Sequence, residues 1–265
     1  MTFSFNDDFI GYAETNTVCD YTGSDNKENF QRRLQEKPAS WIYRTLPISY
    51  TRNSRGHRSK EIEELNTDNY FLVSGCSHTE GVGLPQDAVY SSLLSKLSGY
   101  DFYNLGLGGT GMDVASYNLL TWRAKINKQP KFIILQIPEY ARFVRPEENR
   151  GSTENEYMSS IMMREEGAWS MKYNKEIENF LVSGSIIDYF QFKSKLLIRT
   201  IKNIFNCPVI TIAVGSKINA DFHFEFMDEA RDGHPGMDTH KCIAETLYSH
   251  ITSPKINMCL RKDST

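Results

Sequence analysis

The chain has 265 residues, a formal net charge of −3, 40% apolar residues and 24% charged residues. That length can bury a full core without disulfide or metal staples, and the small net charge gives no reason to expect a nucleic acid or an anionic membrane as partner. The five cysteines (Cys19, Cys76, Cys207, Cys242 and Cys259) are odd in number, widely spaced and without a CxxC, which argues against a disulfide framework or zinc ribbon and for a reducing compartment.

The opening MTFSFNDDFIGYAETN lacks a basic region followed by an apolar one, so no secretory signal is expected. No apolar run approaches the roughly 18 residues of a membrane span. The expected location is the cytoplasm, or a particle assembled without a signal peptide.

Residues 1–66 are polar and rich in turn formers, and read as an N-terminal arm. Thr51–Lys60, with Arg52, Arg55, Arg58 and Lys60, reads as a solvated basic segment or, more sharply, as a contact segment for a protein partner. Trp41, Ile42 and Tyr43 suggest that part of the arm docks on the body.

Regular patterning begins near residue 67 and runs to 253. Tyr70–Val73, closed by Ser74-Gly75, reads as a buried strand. A helix is expected over 85–98, with Pro85 at its start and Ala88, Leu93, Leu94 and Leu97 as an apolar stripe. Phe102–Leu105 is a second strand. A helix over 112–127 would turn Val114, Tyr117, Leu120 and Ala124 to one face. Lys131–Ile137 is a third strand, apolar enough to be covered on both faces. Residues 145–182 read as a polar, irregular insertion, a lid in which Met162, Met163 and Trp169 would cover something.

Ser185–Asn206 reads as an amphipathic helix with Ile187, Phe190, Leu196, Leu197 and Ile201 inward. Pro208–Val214 is a fourth strand and Phe222–Phe226 a short fifth. A last helix spans 238–250 with Ile243, Ala244 and Leu247 buried, and 254–265 is a loose tail. Strands alternating with helices imply right-handed βαβ units: an α/β, doubly wound parallel sheet of about five strands. Its active edge lies at the carboxyl ends of the strands, where Ser77, Gly106–Gly111, Glu139 and Gly215 fall.

Three blocks on that edge could carry chemistry. In Gly75-Cys76-Ser77-His78-Thr79-Glu80-Gly81, a serine follows a buried strand between glycines that permit a tight turn. Such a serine needs a base to become a nucleophile, and the bland alternative is a capping or phosphate loop. In Asn104–Gly111, Gly106, Gly108 and Gly111 formally satisfy GxGxxG. A dinucleotide site also wants an acid about twenty residues on, and Glu139 lies too far downstream. The other use of such a loop is an oxyanion hole of bare amides. In Ala230-Arg231-Asp232-Gly233-His234-Pro235-Gly236, His234 can act as general base if Asp232, or Asp228, fixes its tautomer. Cys76 is a weaker candidate nucleophile. His78, His223, His234 and His240 have no metal-ligand spacing, so neither a metal nor a cofactor is expected.

In this order the blocks resemble those of the SGNH, or GDSL-type, hydrolases over roughly Tyr70–Ile251. That resemblance implies a flavodoxin-like sheet, Ser77 as nucleophile, His234 as base, Asp232 as acid, and the Ser77 and Gly109 amides as oxyanion donors. The substrate it implies is a small or carbohydrate-linked acyl ester, with O-acetyl as one form. Three positions depart from the family pattern. Cys76 replaces the Asp of G-D-S. The acid stands D-x-H rather than D-x-x-H. The third block reads Gln136-Ile137-Pro138-Glu139 and has no Asn; Gln136 is the candidate replacement donor, while Glu139 would repel an oxyanion. The alternatives are an O-acyltransferase, or a catalytically silent module with a binding or assembly role. A distance of about 3.2 Å or less from Ser77 Oγ to a His234 ring nitrogen separates the enzyme from the scaffold.

Overall fold

The computed structural model describes residues 2–139, 142–146, 158–164, 167–168 and 185–253. Trp169 and the tail 254–265 lie outside the described residues, as do the side chains of Met162 and Met163.

The N-terminal region contains β1 (Thr2–Asn6), β2 (Phe9–Tyr12), β3 (Thr17–Cys19), α1 (Lys27–Glu36) and β4 (Tyr50–Arg52). The body follows with β5 (Tyr70–Ser74), the single helical turn α2 (Ser77–Glu80), α3 (Tyr90–Ser98), β6 (Asp101–Asn104), α4 (Met112–Lys125) and β7 (Ile133–Gln136). Then come β8 (Arg142–Pro146), β9 (Met158–Arg164), β10 (Gly167–Ala168), α5 (Ser185–Ile204), β11 (Val209–Val214), β12 (Phe222–Phe224) and α6 (Met237–Ile251).

The main sheet has five strands in the order β12-β11-β7-β5-β6, all parallel. It is flanked by helices on both faces, and the period of two along each strand decides which residues meet them. Leu72, Tyr103, Ile133 and Leu135 pack with Leu119, Trp122 and Ile201 on the α4–α5 side. Phe71, Val73, Ile134, Ile210 and Ile212 pack with Leu94, Ile243 and Leu247 on the α3–α6 side. Both faces are dry, so the chemistry is confined to the strand ends and the loops that leave them.

The expected helix at 85–98 divides into a 3-10 turn, Gln86–Ala88, and α3, with Leu97 outward. The expected inward faces of two other helices need correction. In α4, Tyr117 and Ala124 are exposed, and the buried stripe is Ala115, Asn118, Leu119 and Trp122. A polar residue defines that stripe: the Asn118 side chain accepts from Ile10 N at 2.9 Å and donates to Ile10 O at 2.8 Å, stitching α4 to β2. In α5, Leu196 is exposed whereas Ile201 is buried.

The insertion also differs from its irregular reading. β8 and β9 pair antiparallel, and β9 pairs antiparallel with β1, through Thr2↔Ser159 and Phe3↔Met158. The N-terminal hairpin and the insertion thus share a second sheet.

The solvated reading of Thr51–Lys60 is overturned by burial. Arg58 is 1% exposed and His57 0%. Arg58 donates to the carbonyls of Ser49, Gly81 and Leu84 at 2.7–2.9 Å, and its charge is sheathed by the Tyr50 ring. A guanidinium whose two terminal nitrogens donate to carbonyls can be buried where an unpaired one cannot. Arg55 pairs with Asp7 and Glu63, and Lys60 with Asp101. In the docking segment, Tyr43 is buried and Trp41 packs beside it, whereas Ile42 points outward.

Candidate active site

Ser77 stands at the start of α2, immediately past the end of β5. The turn is tight because Gly75 has no side chain: a Cβ there would fall 2.5 Å from Gln136 Oε1 and 2.5 Å from Thr79 Oγ1. Gln136 Oε1 accepts from Cys76 N at 2.8 Å and stands 3.3 Å from Thr79 Oγ1, while its Nε2 donates to Ile137 O. Cys76 carbonyl then receives the Thr79 and Glu80 amides. At the first position of a helical turn the Ser77 amide has no intrahelical acceptor.

His234 Nε2 lies 2.8 Å from Ser77 Oγ, and His234 Nδ1 lies 2.5 Å from Asp232 Oδ2. A carboxylate can only accept, so Nδ1 carries the proton and Nε2 presents its lone pair to the serine hydroxyl. The Asp232 side chain is 0% exposed. Burial alone pushes its carboxyl up. The His234 charge and the hydrogen bonds from His234 and Ser24 together outweigh that, and hold it below the usual carboxylate range. Asp228, the other acid considered, faces away from this chain: it accepts the Asp238 and Thr239 amides and caps α6. Cys76 is buried, with Sγ 3.9 Å from Ser77 Oγ, closer than a turn pointing it away would give.

The glycine loop lies directly on the serine turn. Leu107 N donates to Gly75 O at 3.2 Å, and a Cβ on Gly106 would fall 2.7 Å from Glu80 N. Gly108 N donates to Glu80 Oε2 at 2.6 Å, and the same oxygen accepts from Tyr12 O–H at 2.8 Å. The loop's acceptor is therefore internal, the buried Glu80 carboxyl group rather than a pyrophosphate. Burial pushes the Glu80 carboxyl up, offset in part by Tyr12, Arg58 and Gly108. Gly109 follows at φ +79°, half-buried at the tip of the loop.

The two candidates of the third block stand in different surroundings. Gln136 is 2% exposed and its amide is engaged with the serine turn and its own strand end, so it braces the turn that carries Ser77. Glu139 is 53% exposed and stands 3.5 Å from Arg142, so its charge faces solvent and a cation. His78 lies edge-on to the His234 ring, with centroids 5.3 Å apart. Burial, then the charges of His234 and Arg142, hold its pKa well below the ordinary histidine value, so it is neutral.

Ser24 Oγ, 2.7 Å from Asp232 Oδ2, belongs to a segment read as outside the site. No local signal marks it, because its partner is 208 residues away. Glu80 is better signposted, since it stands on the same short turn as Ser77. Among the described residues, no three His, Cys, Asp or Glu side chains gather as a metal site requires. None of the described helices is long and apolar enough to cross a membrane.

No protein-family model and no curated protein matches the sequence. Solved structures with a similar fold include a carbohydrate esterase family 2 enzyme with a carbohydrate-binding domain from Corynascus thermopiles (Myceliophthora fergusii), at 11% identity and TM-score 0.43, covering 69% of this chain and 65% of that one. An acetyl xylan esterase from the rumen bacterium Butyrivibrio proteoclasticus is 12% identical at TM-score 0.37, over 72% of this chain and 65% of its own. A psychrotrophic esterase from Pseudoalteromonas sp. is 13% identical at TM-score 0.38, over 69% and 97%. The chain thus spans about 65% of the length of the first two. These are similarities of fold.

Proposed function

We propose that the protein is a serine ester hydrolase of the SGNH type that works through an acyl-enzyme on a small or carbohydrate-linked acyl ester. The observation that carries this reading is the chain Ser77 Oγ–His234 Nε2–Asp232 at 2.8 and 2.5 Å, with the acid out of solvent. Separate surface residues have no reason to adopt that sequence of donors and acceptors.

In the first step Ser77 Oγ attacks the acyl carbonyl carbon while Nε2 takes the hydroxyl proton. The imidazolium that forms is stabilised by the Asp232 carboxylate. The Ser77 and Gly109 amides are the proposed donors to the oxyanion. The tetrahedral intermediate collapses as Nε2–H protonates the departing alkoxide, leaving Ser77 acylated and His234 neutral. Water, deprotonated by Nε2, attacks the acyl carbon, and the second collapse returns the proton to Ser77 Oγ and releases the acid. An alcohol in place of water would give acyl transfer with the same proton movements. A missing third oxyanion donor costs about 10²–10³ in rate where it has been removed from other hydrolases, so a modest kcat is expected.

The test is hydrolysis of a short-chain aryl ester and of acetylated sugars by wild type and Ser77→Ala. Wild type should turn over, and the variant should lose at least about 10³-fold. Equal activity, or equal inertness, would refute the reading.

A further inference from the structure

We propose that Ser24 is a positioning residue of the triad, a hydroxyl from the N-terminal region that holds the Asp232 carboxylate against the His234 ring. This rests on the hydrolase reading for its catalytic consequence, though not for the contact itself.

The D-x-H spacing creates the need. Asp232 and His234 lie two residues apart on one loop, with Gly233 between them at φ +100°. Their contact depends on the shape of that loop, and a single rotation of the acid's side chain would break it. Among the described residues, three donors reach the carboxylate. His234 N donates to Oδ1 at 3.2 Å, and Oδ2 is shared by His234 Nδ1 and the Ser24 hydroxyl. Ser24 is thus the one donor to this carboxylate from outside its own loop. Ser24 Oγ is also 3.4 Å from Nδ1, so it flanks the Asp–His bond. With the imidazole proton committed to Asp232, the hydroxyl proton must also go to the carboxylate. The opposite wall is Gly83, where a Cβ would fall 2.4 Å from Oδ1. The carboxylate is wedged between a bare backbone and a hydroxyl.

Ser24 is itself registered at two points. Its carbonyl accepts from Asn26 N at 3.0 Å and Asn29 Nδ2 at 2.9 Å, and the same Asn29 amide reaches Asp232 O at 3.1 Å. The next residue, Asp25, grips Arg231 through bonds of 2.8 and 2.6 Å, with both side chains buried. Consecutive residues 24 and 25 therefore clasp consecutive residues 232 and 231. A clasp of this kind fixes the Ser24 backbone, so that the hydroxyl starts from a set position beside the carboxylate.

The hydroxyl also has an electrostatic effect of definite sign. Its hydrogen bond drains charge from Oδ2, the oxygen that faces Nδ1. Without it the carboxylate would hold the imidazolium more strongly, and the neutral base would appear only at higher pH. The other ionisable groups about the pair are His78 and Arg142, Arg33 against Gly233, the Asp25–Arg231 pair and His240. Ser24→Ala leaves all of them in place.

The experiment uses the full chain as wild type, Ser24→Ala and Ser24→Thr. It measures the rate of covalent labelling by a fluorophosphonate against pH, kcat and KM on an aryl ester, and the proton NMR resonance of the His234 Nδ1–H. Ser24→Ala should label about tenfold more slowly, with kcat reduced alike and KM within about twofold. Its acid limb should move to higher pH and its Nδ1–H resonance should shift or broaden, and Ser24→Thr should restore both. A Ser24→Ala protein with wild-type labelling rate, acid limb and resonance would overturn the proposal. If wild type resists labelling while the resonance still responds to Ser24→Ala, the nucleophile reading falls and the positioning contact stands.

Discussion

Gln136→Leu separates two roles for a residue that the sequence offers as an oxyanion donor. Leucine nearly matches the volume of glutamine, so the cavity term is small. What changes is that the Cys76 amide loses its acceptor, Oε1 at 2.8 Å, inside a turn that water does not reach. Leaving one buried backbone N–H unpaired costs about 1–3 kcal/mol. Thr79 Oγ1 loses a weaker contact at 3.3 Å but keeps its bond from Tyr90 O–H at 3.1 Å, so it adds little. For a chain of this size that range corresponds to a fall in Tm of about 2–12 °C.

The turn so loosened carries Ser77 one residue later, and a displacement of about 1 Å at a nucleophile costs on the order of 10²-fold in rate. Urea denaturation and aryl-ester kinetics on the same preparations read both quantities. The expected outcome is that stability and kcat fall together. If stability stays within about 0.5 kcal/mol of wild type while kcat drops 10²–10³-fold, Gln136 acts on the oxyanion and the support role is refuted.

Gly83→Ala should drive a methyl into the Asp232 carboxylate, at a backbone of φ +82°. We expect at least a tenfold loss of kcat beyond that of Gly99→Ala, whose φ of +72° is similar but whose Cβ meets open space; equal kcat in the two variants would show that the carboxylate tolerates the intrusion. Stability should also fall with acid. Burial pushes His57 down to about 4 and His240 to about 3, so both are neutral in the folded chain where the unfolded chain binds protons. Their contribution is complete above about pH 6.5 and declines below it, by about 2 kcal/mol each at pH 5, with buried Glu80 and Asp25, pushed upward, offsetting part. His57→Gln should flatten the fall between pH 6.5 and 5 in thermal melts, and an unchanged slope would contradict this.

The parallel sheet was legible because its strands are short apolar runs, and runs such as Ile133–Gln136 and Val209–Val214 have few other uses. The order of strands places Ser77, the glycine loop and the Asp232–His234 loop on one edge. The N-terminal region was not legible for a physical reason. Arg52, His57 and Arg58 are buried by paired hydrogen bonds and ring contacts that a composition reading takes as solvation. The buried stripe of α4 was missed for the same reason, because a polar residue, Asn118, stands at its centre. Gln136 was found but its direction was not, since an amide can donate or accept and only its neighbours decide. Ser24 could not be found at all, because what gives it meaning lies at the other end of the chain.

That separation bears on the order in which the molecule can become competent. The bonds Ser24–Asp232 and Asp25–Arg231 join residues 208 and 206 positions apart. Contacts of such long sequence range form late and slow the overall search, because the loop must close before the contact rewards it. During synthesis the N-terminal region leaves the ribosome with Ser24 and Asp25 still lacking Asp232 and Arg231, which stand in the last quarter of the chain. The serine turn, Gln136 and the glycine loop can assemble earlier, from residues 70–137 with Tyr12 and Arg58. The Asp232–His234 loop then arrives as the final piece, and closing the clasp at residues 24 and 25 is the last contact that the proposed triad needs.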